Sequence, residues 1–129
     1  MSVPQNLKAV ILDCDGILFD VNKEKSQAFV ETVKSYPEEI VELFLREHQA
    51  TGGVSRYEKF AWFFNELCPS ENPRKDIDQA LKIYAAIVQK AYQQKSPVED
   101  AKYFVKSLFG RVPIFVASGS DQEELRTVF

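Results

Sequence analysis

Apolar positions along the chain follow two kinds of pattern. Near the amino terminus the stretch "LKAVILD", Leu7 to Asp13, is short, rich in branched residues and uninterrupted, and "RVPIFVAS", Arg111 to Ser118, repeats that pattern near the other end. Both predict strands buried on both faces. Between them the period is helical. From Asp76 to Gln94 the residues Ile77, Ala80, Leu81, Tyr84, Ile87, Val88, Ala91 and Tyr92 recur at the spacing of one helix face. Further helices are predicted over Lys23–Ser35, Glu38–Gln49 and Arg56–Leu67, one more after Ser96 and a last one from Ser120.

Local chemistry supports these boundaries. Ser-x-x-Glu occurs as Ser55/Glu58, as Ser96/Glu99 with Pro97 at the first helical position, and as Ser120/Glu123, each fitting a reciprocal capping box. Asn72-Pro73 suits a helix start, and Gly52-Gly53 ends the helix before it. The predicted order is strand, four helices, helix, strand, helix, an α/β arrangement with a helical insertion that returns near Ser96.

Composition narrows the class. The 129 residues are 45% apolar and 27% charged, with 16 Lys+Arg against 19 Asp+Glu for a net charge of -3, which is ordinary for a globular chain. That balance carries no electrostatic footprint for nucleic acid or an anionic membrane. No apolar run approaches the roughly 20 residues of a membrane span, and "MSVPQNLKAV" lacks the layout of a signal peptide, so the expected location is cytoplasmic. Cys14 and Cys68 form no CxxC pair and read as reduced, mostly buried thiols.

The chemistry concentrates in "VILDCDGILFD", Val10 to Asp20, where a buried-type run delivers two acids one residue apart and breaks at Gly16. Ligands of open α/β sheets collect beyond the carboxyl ends of strands, and Asp13 stands at such an end. Alternation along extended backbone lets Asp13 and Asp15 point to the same side, while Gly16 permits the bend after them. Two converging carboxylates call for a divalent cation, and hard oxygen donors favour magnesium. With the charge screened, one carboxylate can attack phosphorus while the other handles the leaving-group proton.

These residues resemble the first motif of the haloacid dehalogenase-like (HAD) phosphohydrolases, an apolar run followed by DxDGxLxD. The resemblance implies a Rossmann-like three-layer core with a parallel sheet over 1–20 and 95–129, and an inserted helical cap over 21–94. It implies Asp13 as nucleophile, Asp15 as general acid/base, and the Asp13 carboxylate with the Asp15 main-chain carbonyl as magnesium ligands. "VPIFVASGS" looks like the family's second motif, which gives Ser118 the role of holding the transferring phosphoryl group. Gly16 and Gly119 then approach the substrate through their backbones. A serine at a strand end also serves as a cap or turn residue, but Gly119 and the free N–H groups of a helix start suit an anion independently. "GGVSRYEKF" is similar to the substrate-facing cap segment of the branch containing phosphoglycolate phosphatases and β-phosphoglucomutase. On that likeness Arg56 grips the substrate's non-transferring anion; the plainer reading is a solvated arginine at a helix start. Lys59 reads as a solvated surface charge, and His48 as a surface or satisfied structural histidine, or one facing the cleft.

Rival readings of the acids fit less well. A calcium loop needs Asp or Asn where Ile17 stands. A DxD glycosyltransferase motif lacks a nucleotide-sugar domain upstream, and helix capping alone does not account for the flanks. The family's third motif, a Lys, and its fourth, an acidic strand end, have no counterpart in "GSDQEELRTVF", where Asp121, Glu123 and Glu124 read as partners of the helix dipole. The expectation is therefore a chain cut within its core. Its function would be magnesium-dependent hydrolysis of a small phosphorylated metabolite. The alternatives are a sugar phosphomutase of the same branch, or a non-catalytic truncated paralogue that binds a partner or itself through an exposed sheet edge.

Overall fold

The computed structural model describes residues 4–128. Strands β1 (Val10–Asp13) and β2 (Ile114–Ala117) pair in parallel, with Val10 opposite Ile114 and Asp13 opposite Ala117. Both are shorter than their apolar runs, and β1 begins only where Val10 N–H finds the Pro113 carbonyl at 2.9 Å. The helices are α1 (Asn22–Thr32), α2 (Glu38–Ala50), α3 (Arg56–Trp62), α4 (Pro73–Gln94), α5 (Glu99–Leu108) and α6 (Gln122–Arg126). This is an α/β fold with α1–α4 inserted after the first strand.

Two predicted starts form as read. Ser55 accepts the Glu58 N–H at 3.2 Å, and Asn72 accepts the Lys75 N–H at 3.4 Å with Pro73 behind it. Two capping boxes do not form. Val98, not Ser96, precedes α5, because its N–H is bound to the Leu18 carbonyl at 2.8 Å. Asp121, not Ser120, precedes α6, because the Ser120 hydroxyl is drawn elsewhere. The predicted helix Arg56–Leu67 also widens into a π-helical turn over Phe63–Leu67. That extra residue per turn lets the consecutive rings of Phe63 and Phe64 both enter the core, each packed edge-on against Tyr36.

The main core lies among α1–α4. Phe29, Phe44, Phe60 and Tyr84 form a ring cluster with centroid separations of 4.4 to 5.8 Å. On α4 the buried residues are Ala80, Tyr84, Val88 and Tyr92, a strict four-residue stripe. The two passages between sheet and insertion run side by side: Leu18 is bonded to Val98, and Lys95 pairs with Glu24 at 2.7 Å. Ile11, Phe115 and Val116 on the sheet are exposed, as are Tyr103 on α5 and Phe109 just after it. Among the described residues no helix is long and apolar enough to cross a membrane.

Candidate active site

The chain turns sharply after β1. The Cys14 carbonyl accepts N–H bonds from Ile17, Leu18 and Phe19, and Gly16 N–H closes the turn on the Phe19 carbonyl at 2.7 Å. Gly16 holds φ at +82°, a conformation that favours glycine, and a Cβ there would meet only the flexible end of the Asn22 side chain at 3.0 Å. Burial of Cys14, Leu18, Phe19 and Val21 anchors the turn. Burial, with Asp15 adding to it, pushes the Cys14 thiol up to about 11, so it stays a neutral packing group.

Asp13 and Asp15 both reach a cavity of about 620 Å³ that also takes in Lys25, His48, Arg56, Lys59, Gly119 and Ser120. Asp13 is exposed, and its Oδ1 accepts the Cys14 N–H at 2.8 Å. Asp15 is held from two sides. Lys25 of α1 donates to its Oδ2 at 2.5 Å, and the Tyr92 hydroxyl of α4 donates to its Oδ1. The same Lys25 ammonium reaches Ser120 Oγ at 2.5 Å, which joins the loop after β2 to the loop after β1. Burial, and then the bond to Asp15, raise the Tyr92 pKa, so the phenol stays a donor. Ser118 Oγ accepts the Ser120 N–H at 3.1 Å, which leaves its own proton to donate.

Arg56 is buried rather than solvated. Its two terminal nitrogens reach both Glu124 oxygens at 3.0 and 2.9 Å, and its guanidinium lies 4.6 Å from the Tyr84 ring centroid. Burial works against its charge, and the bonded Glu124 more than restores it, so its pKa stands above the ordinary value. The fork that would hold a substrate anion is therefore engaged by α6 in this structure. Glu124, expected to serve the helix dipole, is instead the buried partner of Arg56. Tyr57 adds a second link between α3 and the start of α6, donating to Asp121 at 2.6 Å.

Lys59 corrects the surface reading: it is only 6% exposed. Its ammonium donates to His48 Nδ1 at 2.7 Å and to the His48 carbonyl at 3.3 Å. Because an ammonium can only donate, Nδ1 is the acceptor and Nε2 carries the proton, donating to Ser26 Oγ at 3.0 Å. Burial, with the Lys59 charge beside it, pushes His48 down to about 4, so the imidazole is neutral. Burial also lowers the Lys59 pKa, with a smaller opposing effect from exposed Glu47.

Lys25, Tyr92 and Ser120 were not read as site residues in the sequence, where Tyr92 figured as a core position and Ser120 as a cap. The one available signal is Tyr92, whose hydroxyl ends an apolar stripe and must find a partner when buried. A larger groove of about 790 Å³ runs along α1 and α4, but its lining, including Lys23, Glu24, Glu31 and Lys90, brings no acid pair together.

No protein-family model matches the chain, and no curated protein matches it. Solved structures do. A HAD hydrolase of family IA, variant 3, from Entamoeba histolytica aligns over 93% of this chain and 52% of its own, with a TM-score of 0.63 at 17% identity. A protein assigned as a β-phosphoglucomutase from Thermotoga maritima aligns over 95% and 54%, with a TM-score of 0.57 at 19% identity. A HAD-superfamily hydrolase of subfamily IA, variant 1, from Geobacter sulfurreducens aligns over 94% and 57%, with a TM-score of 0.50 at 24% identity. The chain therefore has the fold of the HAD-type hydrolases. It spans about half the length of the structures it matches.

Proposed function

We propose that this chain carries the nucleophile site of a phosphatase that acts on a small phosphorylated metabolite through an aspartyl-phosphate on Asp13. The observation that supports it is the pair Asp13 and Asp15 at the end of β1, in a cavity walled by Lys25, Arg56 and Lys59. Asp13 Oδ1 is oriented by the Cys14 N–H, which leaves the other oxygen to attack phosphorus. As the Asp13 O–P bond forms, the ester P–O bond breaks and Asp15, which must enter this step protonated, gives its proton to the leaving alkoxide, releasing an alcohol. Water then attacks phosphorus and loses its proton to Asp15, which returns inorganic phosphate and the free Asp13 carboxylate. On this reading the Ser118 hydroxyl and the Gly119 backbone N–H would donate to the oxygens of the transferring group; of the two, Gly119 lines the cavity and Ser118 does not.

The donor set fits magnesium, which is held by one or two carboxylates and completes its shell with water and phosphate oxygens. The Asp13 carboxylate and Asp15 main-chain carbonyl would hold it, and among the described residues no three acidic, histidine or cysteine side chains converge. Bound there, the cation would offset the charge of the phosphoryl group as it approaches the acids. Phosphate release from an aryl phosphate by the full-length gene product tests the proposal. Turnover should stop with a chelator, return with magnesium, and be lost in Asp13→Asn because an amide cannot form the acyl-phosphate. Near wild-type turnover by Asp13→Asn would remove Asp13 from the nucleophile's role.

A further inference from the structure

Ser26 of α1 is half-buried and reaches the same cavity as the two acids, and it also lines the larger groove along α1 and α4. A chain of donors arrives at its hydroxyl from α3. Lys59, which is buried and can only donate, gives one proton to His48 Nδ1 at 2.7 Å and another to the His48 carbonyl at 3.3 Å. The imidazole is neutral, since burial and the Lys59 charge hold its pKa down to about 4, so its single proton sits on Nε2. That proton is given to Ser26 Oγ at 3.0 Å. Phe29 backs the ring, with centroids 4.5 Å apart, and keeps it in the chain. Ser26 therefore accepts from His48 with one lone pair, and its own proton must turn away from the ring. Among the described residues that proton has no acceptor.

From the proton chain that runs from Lys59 through His48 to Ser26 in the cavity of Asp13 and Asp15, we infer that Ser26 is a specificity-determining residue: its hydroxyl donates to a neutral oxygen, an ether, carbonyl or hydroxyl, on the leaving group of the substrate. Ser26 follows Lys25, the residue that holds Asp15, by one position on α1. Because Asp15 serves the leaving group, an oxygen within reach of Ser26 belongs to that part of the substrate rather than to the phosphate. The assignment deepens the phosphatase reading and rests on it for the position of the phosphate. Lys25 and Arg56 are already engaged, by Asp15 with Ser120 and by Glu124. A substrate with a methylene at that point would cover the Ser26 proton and leave it unmet, which is how one hydroxyl discriminates.

The test uses unhydrolysable phosphonates, so that binding is read apart from turnover. Calorimetry on the full-length gene product in magnesium buffer would compare alkylphosphonates with chains of the same length in which an ether oxygen replaces one methylene: butylphosphonate with ethoxymethyl- and 2-methoxyethylphosphonate, and pentylphosphonate with 3-methoxypropylphosphonate. At least one ether should bind tighter than its alkyl counterpart by about fivefold, the size of one net hydrogen bond. In Ser26→Ala each pair should come within about twofold, while the alkylphosphonates bind as they do to the wild type. The ammonium of 3-aminopropylphosphonate only donates, so this probe should bind wild type and Ser26→Ala alike. Nitrogen-15 shifts of His48, the chain's single histidine, should show Nε2 protonated and Nδ1 bare near neutral pH. Equal binding of ether and alkyl chains in the wild type, a preference that survives Ser26→Ala, an equal loss on every probe in that variant, no binding of any phosphonate, or the reverse tautomer would overturn the assignment. Failure of the phosphatase reading looks different: no hydrolysis of butyl phosphate while the ether preference, and its loss in Ser26→Ala, persist.

Discussion

Asp15 is fixed by two donors from helices at opposite ends of the insertion, Lys25 on α1 and Tyr92 on α4. A carboxyl group so held, once it has taken a proton, delivers it from a fixed position, and general acid catalysis of this kind is worth about 10²- to 10⁴-fold. Lys25→Met should therefore cost about 10²-fold in kcat on an alkyl phosphate, whose leaving group needs that proton, and far less on 4-nitrophenyl phosphate. Equal losses on both esters would show that Lys25 supports only the fold. His48 supplies a second residue-scale prediction. Its folded value of about 4 lies below the ordinary 6.5, so between those pH values the unfolded chain binds a proton that the folded chain does not. Its contribution to stability is full above pH 6.5 and is lost as the pH falls toward 4. The Tm of the wild type relative to His48→Gln should decline across that window, and a constant difference would contradict the buried neutral ring. Asp13, Asp15 and Gly16 were legible in the sequence because a strand end, alternation and a positive-φ turn are local. Lys59 and Lys25 were not, because their burial comes from residues that α1, α2 and the loops bring together in space.

At the scale of elements, α3 and α6 are joined by the buried Arg56–Glu124 pair and by Tyr57–Asp121. Removing one partner of a buried pair costs about 3–5 kcal/mol, since it strands the other charge. Arg56→Met and Glu124→Gln should each destabilise by that order, and the double variant by much less than their sum. Additive losses in denaturant unfolding would mean that the pair is not coupled. The helices themselves were largely readable, since the period of α4 and the caps at Ser55 and Asn72 depend on neighbours a few residues away. The boxes at Ser96 and Ser120 failed for a long-range reason: Leu18 took the Val98 N–H, and Lys25 took the Ser120 hydroxyl. The π-helical turn was equally hidden, because two adjacent phenylalanines look alike in a regular helix and only the packing of Tyr36 calls both inward.

For the whole molecule, the two-stranded sheet leaves large apolar side chains exposed. Ile11 is 71% exposed and its register partner Phe115 is 55% exposed, and Val116 on the same strand as Phe115 is exposed too. Burying such side chains is favourable by about 1.5–3 kcal/mol each, so the 129-residue chain on its own should self-associate through this sheet, and Ile11→Lys should reduce the association. Sedimentation that shows a monomer at all concentrations would refute this. The strand pair and the helical insertion were visible in the sequence as a change of period, whereas the extent of the sheet was not, because pairing begins only where Val10 meets Pro113. The central claim is that Asp13 carries the phosphoryl group, and rapid acid quench of the full-length gene product with an aryl phosphate, followed by peptide mass spectrometry, tests it most directly. The account predicts a phosphoryl adduct on the peptide containing Asp13, absent in Asp13→Asn; steady phosphate release with no adduct on that peptide, or with the adduct on another residue, would contradict it.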